Sequence, residues 1–169
     1  MRIVVSDSSC LIDLRKASLL GAFLRLPYEV LIPNTLFDDE LLKFTIAEKR
    51  ALVRDGLKVV DVPAPGVRRA QDVIRRAPRL STNDGFAFAV AESHEGCILV
   101  TGDALLRSVA TDHGIEVHGV LWVLEELHRH KIVAPGALAS ALRLFEQDAT
   151  VRLPRRDVQV AIRRYEGLP

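Results

Sequence analysis

The sequence predicts a three-layer α/β/α domain built on a central parallel sheet of about four or five strands, with further helices at the C-terminal end. Three observations carry this. Short apolar or β-branched runs alternate with stretches of helical periodicity from residue 2 to about residue 130. The runs at 2–6, 97–101 and 115–120 read as strands covered on both faces. The chain between successive runs is long enough for helical crossovers, which parallel strands require.

Each element has its own signal. RIVVS (2–6) is the first strand, and a stripe of Leu11, Ile12, Leu14, Leu19, Leu20 and Phe23 predicts a helix from Ser8 or Ser9 onward. YEVLIP (28–33) is a second strand closed by Pro33, and NTLFDDELLKF (34–44) has a helical pattern. Thr45 and Glu48 form a capping box that opens a helix ending at Gly56. LKVVDVP (57–63) is the third strand, followed by an arginine-rich helix over 66–77 that Pro78 stops. A second capping box, Ser81 to Asp84, opens a helix whose Ala87, Ala89 and Ala91 suit close packing on a sheet. Strand 97–101, a helix ending at Gly114, strand 115–120 and the helix LWVLEELHRHKI complete a unit over 1–130. Pro135 starts a helix over 136–147, and another spans about 155–166. Residues 131–169 thus form a helical extension packed on the same domain.

The bulk composition narrows the function classes. At 169 residues, 49% hydrophobic and 27% charged, the chain has material for one core and an ordinary soluble surface. A net charge of +1 gives no global pull towards nucleic acid or an anionic membrane, so such affinity rests on local patches. No apolar run approaches the ~18 residues of a membrane span, and MRIVVSD enters a strand without a signal-peptide core. Cys10 and Cys97 lie inside apolar runs and read as core residues of a protein in the reducing cytoplasm. There is no Gly-rich phosphate loop, no G-x-S-x-G and no Cys/His set with zinc spacing.

The acids are more informative. Ligands of open α/β sheets bind beyond the carboxyl ends of the strands, where Asp7 follows RIVVS and Asp103 follows CILVTG. Each has a plain alternative as a helix cap, and Asp84 has one inside its capping box. In LFDDELLKF, Asp38, Asp39 and Glu40 cannot all face water while Leu36, Phe37, Leu41 and Leu42 share one buried stripe. One acid therefore lies near the apolar side and needs a partner, such as a cation shared with other acids. Oxygen-only ligands suit Mg²⁺ or Mn²⁺ rather than zinc. A phosphotransferase using Asp7 as nucleophile fits less well, because no second acid follows two residues on.

The order and setting of these acids resemble the PIN domain, the fold of the VapC-type toxin nucleases. VSDSSCLIDL (5–14), IPNTLFDDEL (32–41), LSTNDGFAFAVAE (80–92) and ILVTGDALLRSVATDHGIEVHGVLWVL (98–124) carry the likeness. It implies a Mg²⁺- or Mn²⁺-dependent endoribonuclease whose metal ligands and catalytic acids are Asp7, Glu40, Asp84 and Asp103. Asp39 is the alternate to Glu40 by its count from Pro33. Ser9 and Thr101 match small hydroxyl positions that orient a carboxylate or a water. The resemblance also implies an RNA substrate and a small antitoxin protein, allows a homodimer, and places the protein in the cytoplasm away from membranes. The other outcome is a catalytically weak or inactive PIN-like module that binds RNA or protein.

RNA also needs a positive track. VRRAQDVIRRAPR (67–79) carries five arginines against one aspartate. Arg68, Arg69, Arg75 and Arg76 recur at about two helical turns, which suits either a solvated face or phosphate contact.

Overall fold

A computed structural model describes residues 1–169. Strands β1 (Arg2–Ser6), β2 (Tyr28–Pro33), β3 (Lys58–Val60), β4 (Ile98–Val100) and β5 (Glu116–His118) form one parallel sheet in the order β3-β2-β1-β4-β5. Ten helices surround it: α1 (Ser8–Lys16), α2 (Leu20–Phe23), α3 (Asn34–Asp39), α4 (Ile46–Arg54), α5 (Ala64–Arg76), α6 (Thr82–Glu92), α7 (Ala104–Asp112), α8 (Val120–Arg129), α9 (Pro135–Gln147) and α10 (Arg155–Glu166). This is the three-layer architecture read from the alternating runs.

The topology fixes where a site can form. The chain leaves β1 for β2 and β3 on one side, then returns through α5 and α6 to place β4 on the other side of β1. Strand order reverses there, and the two connections part to leave a crevice at the carboxyl ends of β1 and β4. Val4, Val5, Ile98, Leu99 and Val100 are all buried, so the strands beneath the crevice are rigid.

One apolar cluster of 41 residues holds the layers together, and it runs into the C-terminal helices through Leu138, Leu142, Phe145, Val158, Ile162 and Tyr165. No helix is long and apolar enough to cross a membrane. Cys10 and Cys97 are free thiols in the core.

Four expectations need correction. The stripe from Leu11 to Phe23 does not make one helix. Ser18 takes φ +57°, and the Ser18 and Leu19 amides donate back to Arg15 and Leu14, a Schellman end with serine where glycine is usual. Lys131 (φ +56°) ends α8 in the same way, short of the Ile132 that the sequence suggests. The helix expected over 34–44 stops at Asp39, and Leu42 is 78% exposed rather than buried. Three consecutive carboxylates at a helix C-terminus oppose the macrodipole, which favours a stop there. Finally, β5 is not buried on both faces: it has one neighbour, and Glu116 reaches exposed Arg2.

The extension is joined to the core by charge as well as by packing. Lys16 of α1 lies 4.0 Å from Asp13 and 3.4 Å from Asp148 in the loop after α9. Burial, reinforced by the Asp148 charge and opposed by Lys16, pushes the Asp13 carboxyl up to about 6. The folded protein holds this proton more tightly than the unfolded chain does. Its contribution to stability is therefore complete below about pH 4 and lost as pH rises through 6. Asp13→Asn is expected to raise stability at pH 7 by ~1–2 kcal/mol, a few degrees in Tm. It should also flatten the Tm–pH curve between 4 and 6, as thermal melts across that range will read.

Candidate active site

The site is built from four short stretches that the topology brings to one edge of the sheet. Asp7 comes first. Its amide donates to Val100 O at 3.0 Å, extending the β1–β4 ladder one step, and its extended backbone caps α1. Its carboxylate is only 4% exposed. Oδ1 accepts from Ser9 Oγ at 2.7 Å and from the Cys10 amide at 3.1 Å, while Oδ2 accepts from Thr101 Oγ1. Three donors in a water-poor place fix the side chain in one orientation.

Thr101 connects Asp7 to the end of β4. Its Oγ1 accepts from the Asp103 amide at 3.0 Å while donating to Asp7. Ser9 makes a second link by accepting from the Gly102 amide at 3.1 Å. Asp103 caps α7, with Oδ1 accepting from the Leu106 amide at 2.7 Å. The two hydroxyls thus join Asp7, after β1, to the residues that follow β4.

Asp84 and Glu40 arrive from the other two stretches. Asp84 closes its capping box, exchanging hydrogen bonds with Ser81 at 3.0 and 3.1 Å. Glu40 ends α3 and accepts from Ser8 Oγ, so the carboxylate turns back over the start of α1. Asp39 is exposed to solvent instead.

Electrostatics tie the four together. Burial pushes the Asp7 carboxyl up to about 6, against the pull of its three hydrogen bonds, and the charge of Asp84 adds to the rise. Asp84 is also raised, first by burial and then by the charges of Asp103 and Glu40. Asp7 thus feels the charge of Asp84, and Asp84 those of Asp103 and Glu40. In this arrangement every carboxylate is turned to local donors, and no three converge on a single point. The donor set is all oxygen and carries up to four negative charges, which fits a hard divalent cation and not a soft one.

Two further side chains belong to this edge without any mark in the local sequence. Ser8 follows Asp7 directly, and only the fold shows that it meets Glu40. Arg107 stands one turn beyond Asp103, and its guanidinium lies against Gly119 at the end of β5, where a Cβ would come within 3.0 Å of Nη2.

The basic helix is less uniform than its sequence. Arg68, Arg75 and Arg76 are exposed, but Arg69 is clamped by Glu92 through two hydrogen bonds and lies over the Phe88 ring. Three of the four arginines are thus open to solvent and one is tied to α6.

Comparison with protein-family models matches residues 3–166 to the PIN domain. No curated protein matches the chain.

Proposed function

This chain belongs to the PIN-domain family, a nuclease fold, and from that premise we propose that it is an endoribonuclease dependent on Mg²⁺ or Mn²⁺. The observation that supports this best is the buried carboxylate of Asp7 at the sheet's switch point, within electrostatic reach of Asp84, which in turn feels Asp103 and Glu40. Asp7, Asp84 and Asp103 would hold the ion, and Glu40 would orient the attacking water or share a second ion, once these carboxylates turn from the local donors that now hold them apart. A divalent cation at such a place supplies Lewis acidity, acidifying water and offsetting charge on the phosphate oxygens.

The chain's own groups do the positioning. Ser9 and Thr101 lock Asp7, Ser8 holds Glu40 over the start of α1, and Arg107 offers a cation at the rim. Arg68, Arg75 and Arg76 would meet substrate phosphates without sequence preference, while Arg69 serves packing first. We assign catalysis to residues 1–130 and a supporting role to 131–169. We also propose that the protein is the cytoplasmic toxin of a toxin–antitoxin pair, held by a small antitoxin and able to form a homodimer.

A second reading has its own support. Asp7 and Asp103 each cap a helix and Asp84 completes the capping box of a third, so the acids are useful without any chemistry, as in an inactive PIN module binding RNA or protein. Cleavage of a mixed RNA pool by parent and Asp103→Asn protein, with Mg²⁺, Mn²⁺ or EDTA, separates the two. We expect metal-dependent cutting by the parent and a loss of ~10²-fold or more in the variant, beyond the cost of an outer-shell change. Absence of cutting under every condition would favour the binding module.

A further inference from the structure

We propose that the groove between α5 and α6 is a nucleobase pocket, holding a base of single-stranded RNA next to the phosphate that is cut. The proposal rests on the ribonuclease reading above and adds to it the part of the substrate that this flank of the protein grips.

The groove has a physical origin in Gly85. A Cβ there would lie 2.7 Å from Ile74 Cδ1 and 3.3 Å from Ala70 Cβ, so the absence of one lets the two helices touch at their base. Above that contact a cavity of about 440 Å³ stays open. Val67, Ile74 and the half-buried ring of Phe86 give it apolar walls, and Gln71, Thr82 and Arg75 stand at its edge. An aromatic face with polar groups at the rim is what a base needs: a surface to stack on, and donors and acceptors for its edge.

Charge decides between a base and an apolar stretch of protein. No acid lines the groove. Arg75 stands at its edge, and Arg79, in the link from α5 to α6, is exposed. Arg75 is ion-paired to Asp72 of the same helix, a surface contact that competes weakly with a phosphate. A polyanion with flat apolar groups matches this combination.

The groove also has the right address. Thr82 and Phe86 are one turn apart on α6, and Asp84 lies between them in sequence, about 200° around the helix. The pocket and Asp84 therefore lie on opposite sides of the first turn of α6, about a helix diameter of 10 Å apart. A strand whose phosphates pass Arg75 can leave a base in the groove and, passing round the N-terminal end of α6, present a neighbouring phosphate to the acids.

The test is binding of a short fluorescein-labelled single-stranded RNA in EDTA, read by anisotropy, so that no cutting intervenes. Phe86→Leu keeps apolar bulk and removes the stacking face. We expect ~10-fold weaker binding, the scale of one lost stack, with Tm within a few degrees of the parent. Gln71→Glu, on an exposed position of α5, puts a carboxylate at the rim and should weaken binding severalfold even if Phe86→Leu folds poorly. An RNA of the same length with abasic riboses should bind parent and Phe86→Leu alike. Equal affinity of parent and both variants for intact RNA overturns the pocket and gives the groove to an apolar protein segment; failure of the parent to bind RNA overturns it too. Cutting by the parent with unaffected variants keeps the ribonuclease and loses the pocket. RNA binding that drops in the variants, from a parent that never cuts, keeps the pocket and loses the ribonuclease.

Discussion

Asp7→Asn is expected to yield a protein more stable than its parent in the absence of metal, and without ribonuclease activity. The two effects share one cause. At neutral pH the folded parent keeps a charge on a carboxyl that burial pushes up to about 6, which costs about 3 kcal/mol against the unfolded chain. Asparagine preserves the shape and still accepts from Ser9 and the Cys10 amide at Oδ1. It gives up the acceptor facing Thr101, so the net gain is expected at ~1–2 kcal/mol at pH 7. The sign follows from the raised value: the parent is relatively more stable below about pH 4 and loses ground as pH rises through 6. Parent and variant should therefore converge in acid and separate towards neutrality. Added Mg²⁺ or Mn²⁺ should lift the melting temperature of the parent, by about 2.7 kcal/mol at 100-fold over Kd, and leave the variant almost unmoved. Below pH 6 protons compete for the same oxygens and that lift should fade. RNA cleavage should drop by ~10²-fold or more. A variant less stable than the parent at pH 7, with no response of the parent to metal, would falsify the picture and make Asp7 a helix cap alone.

Tyr165→Ala is expected to be the most damaging single change away from the acids. The ring is 1% exposed and meets His128 of α8 edge-on, with centroids 5.5 Å apart. Loss of a buried aromatic costs ~3–5 kcal/mol through lost burial and the cavity left behind. For a chain of this length that is a fall of about 10 °C or more. Tyr165→Phe should recover nearly all of it, since the hydroxyl meets only the half-exposed Arg164. A chain ended after His130 should fail to fold, because Leu138, Leu142, Phe145, Val158 and Ile162 share the core cluster with Leu11 and Phe88. A melt of Tyr165→Ala that matches the parent would instead show that α9 and α10 ride on a core that stands without them.

Much of this was legible in the amino-acid order because the signals are local. Thr45 and Glu48, Ser81 and Asp84, Gly56, Gly114 and Pro135 mark helix ends by their own chemistry, and each does so in the structure. The misplaced ends depend on tertiary context. Ser18 and Lys131 adopt a left-handed backbone at helix ends without glycine, which no propensity announces. Leu42 looks like the next core residue after Leu41, and only the early stop of α3 turns it outward. For the site, the position of an acid after an apolar strand was readable because parallel sheets bind at that end. The bond from Ser8 to Glu40 joins residues 32 apart, the clamp of Arg69 by Glu92 joins residues 23 apart, and neither leaves a mark in its neighbours.

The three aspartates at helix starts serve two masters. Asp7 and Asp103 cap their helices and Asp84 closes the capping box of its own, and removing a cap costs ~1 kcal/mol whether or not any RNA is cut. Selection for a folded protein is therefore enough to retain them. A descendant that has stopped cutting RNA would keep the acids of one that still does, and alanine scanning would blur the loss of chemistry with the loss of a helix start. Asparagine, which caps about as well as aspartate, separates the two.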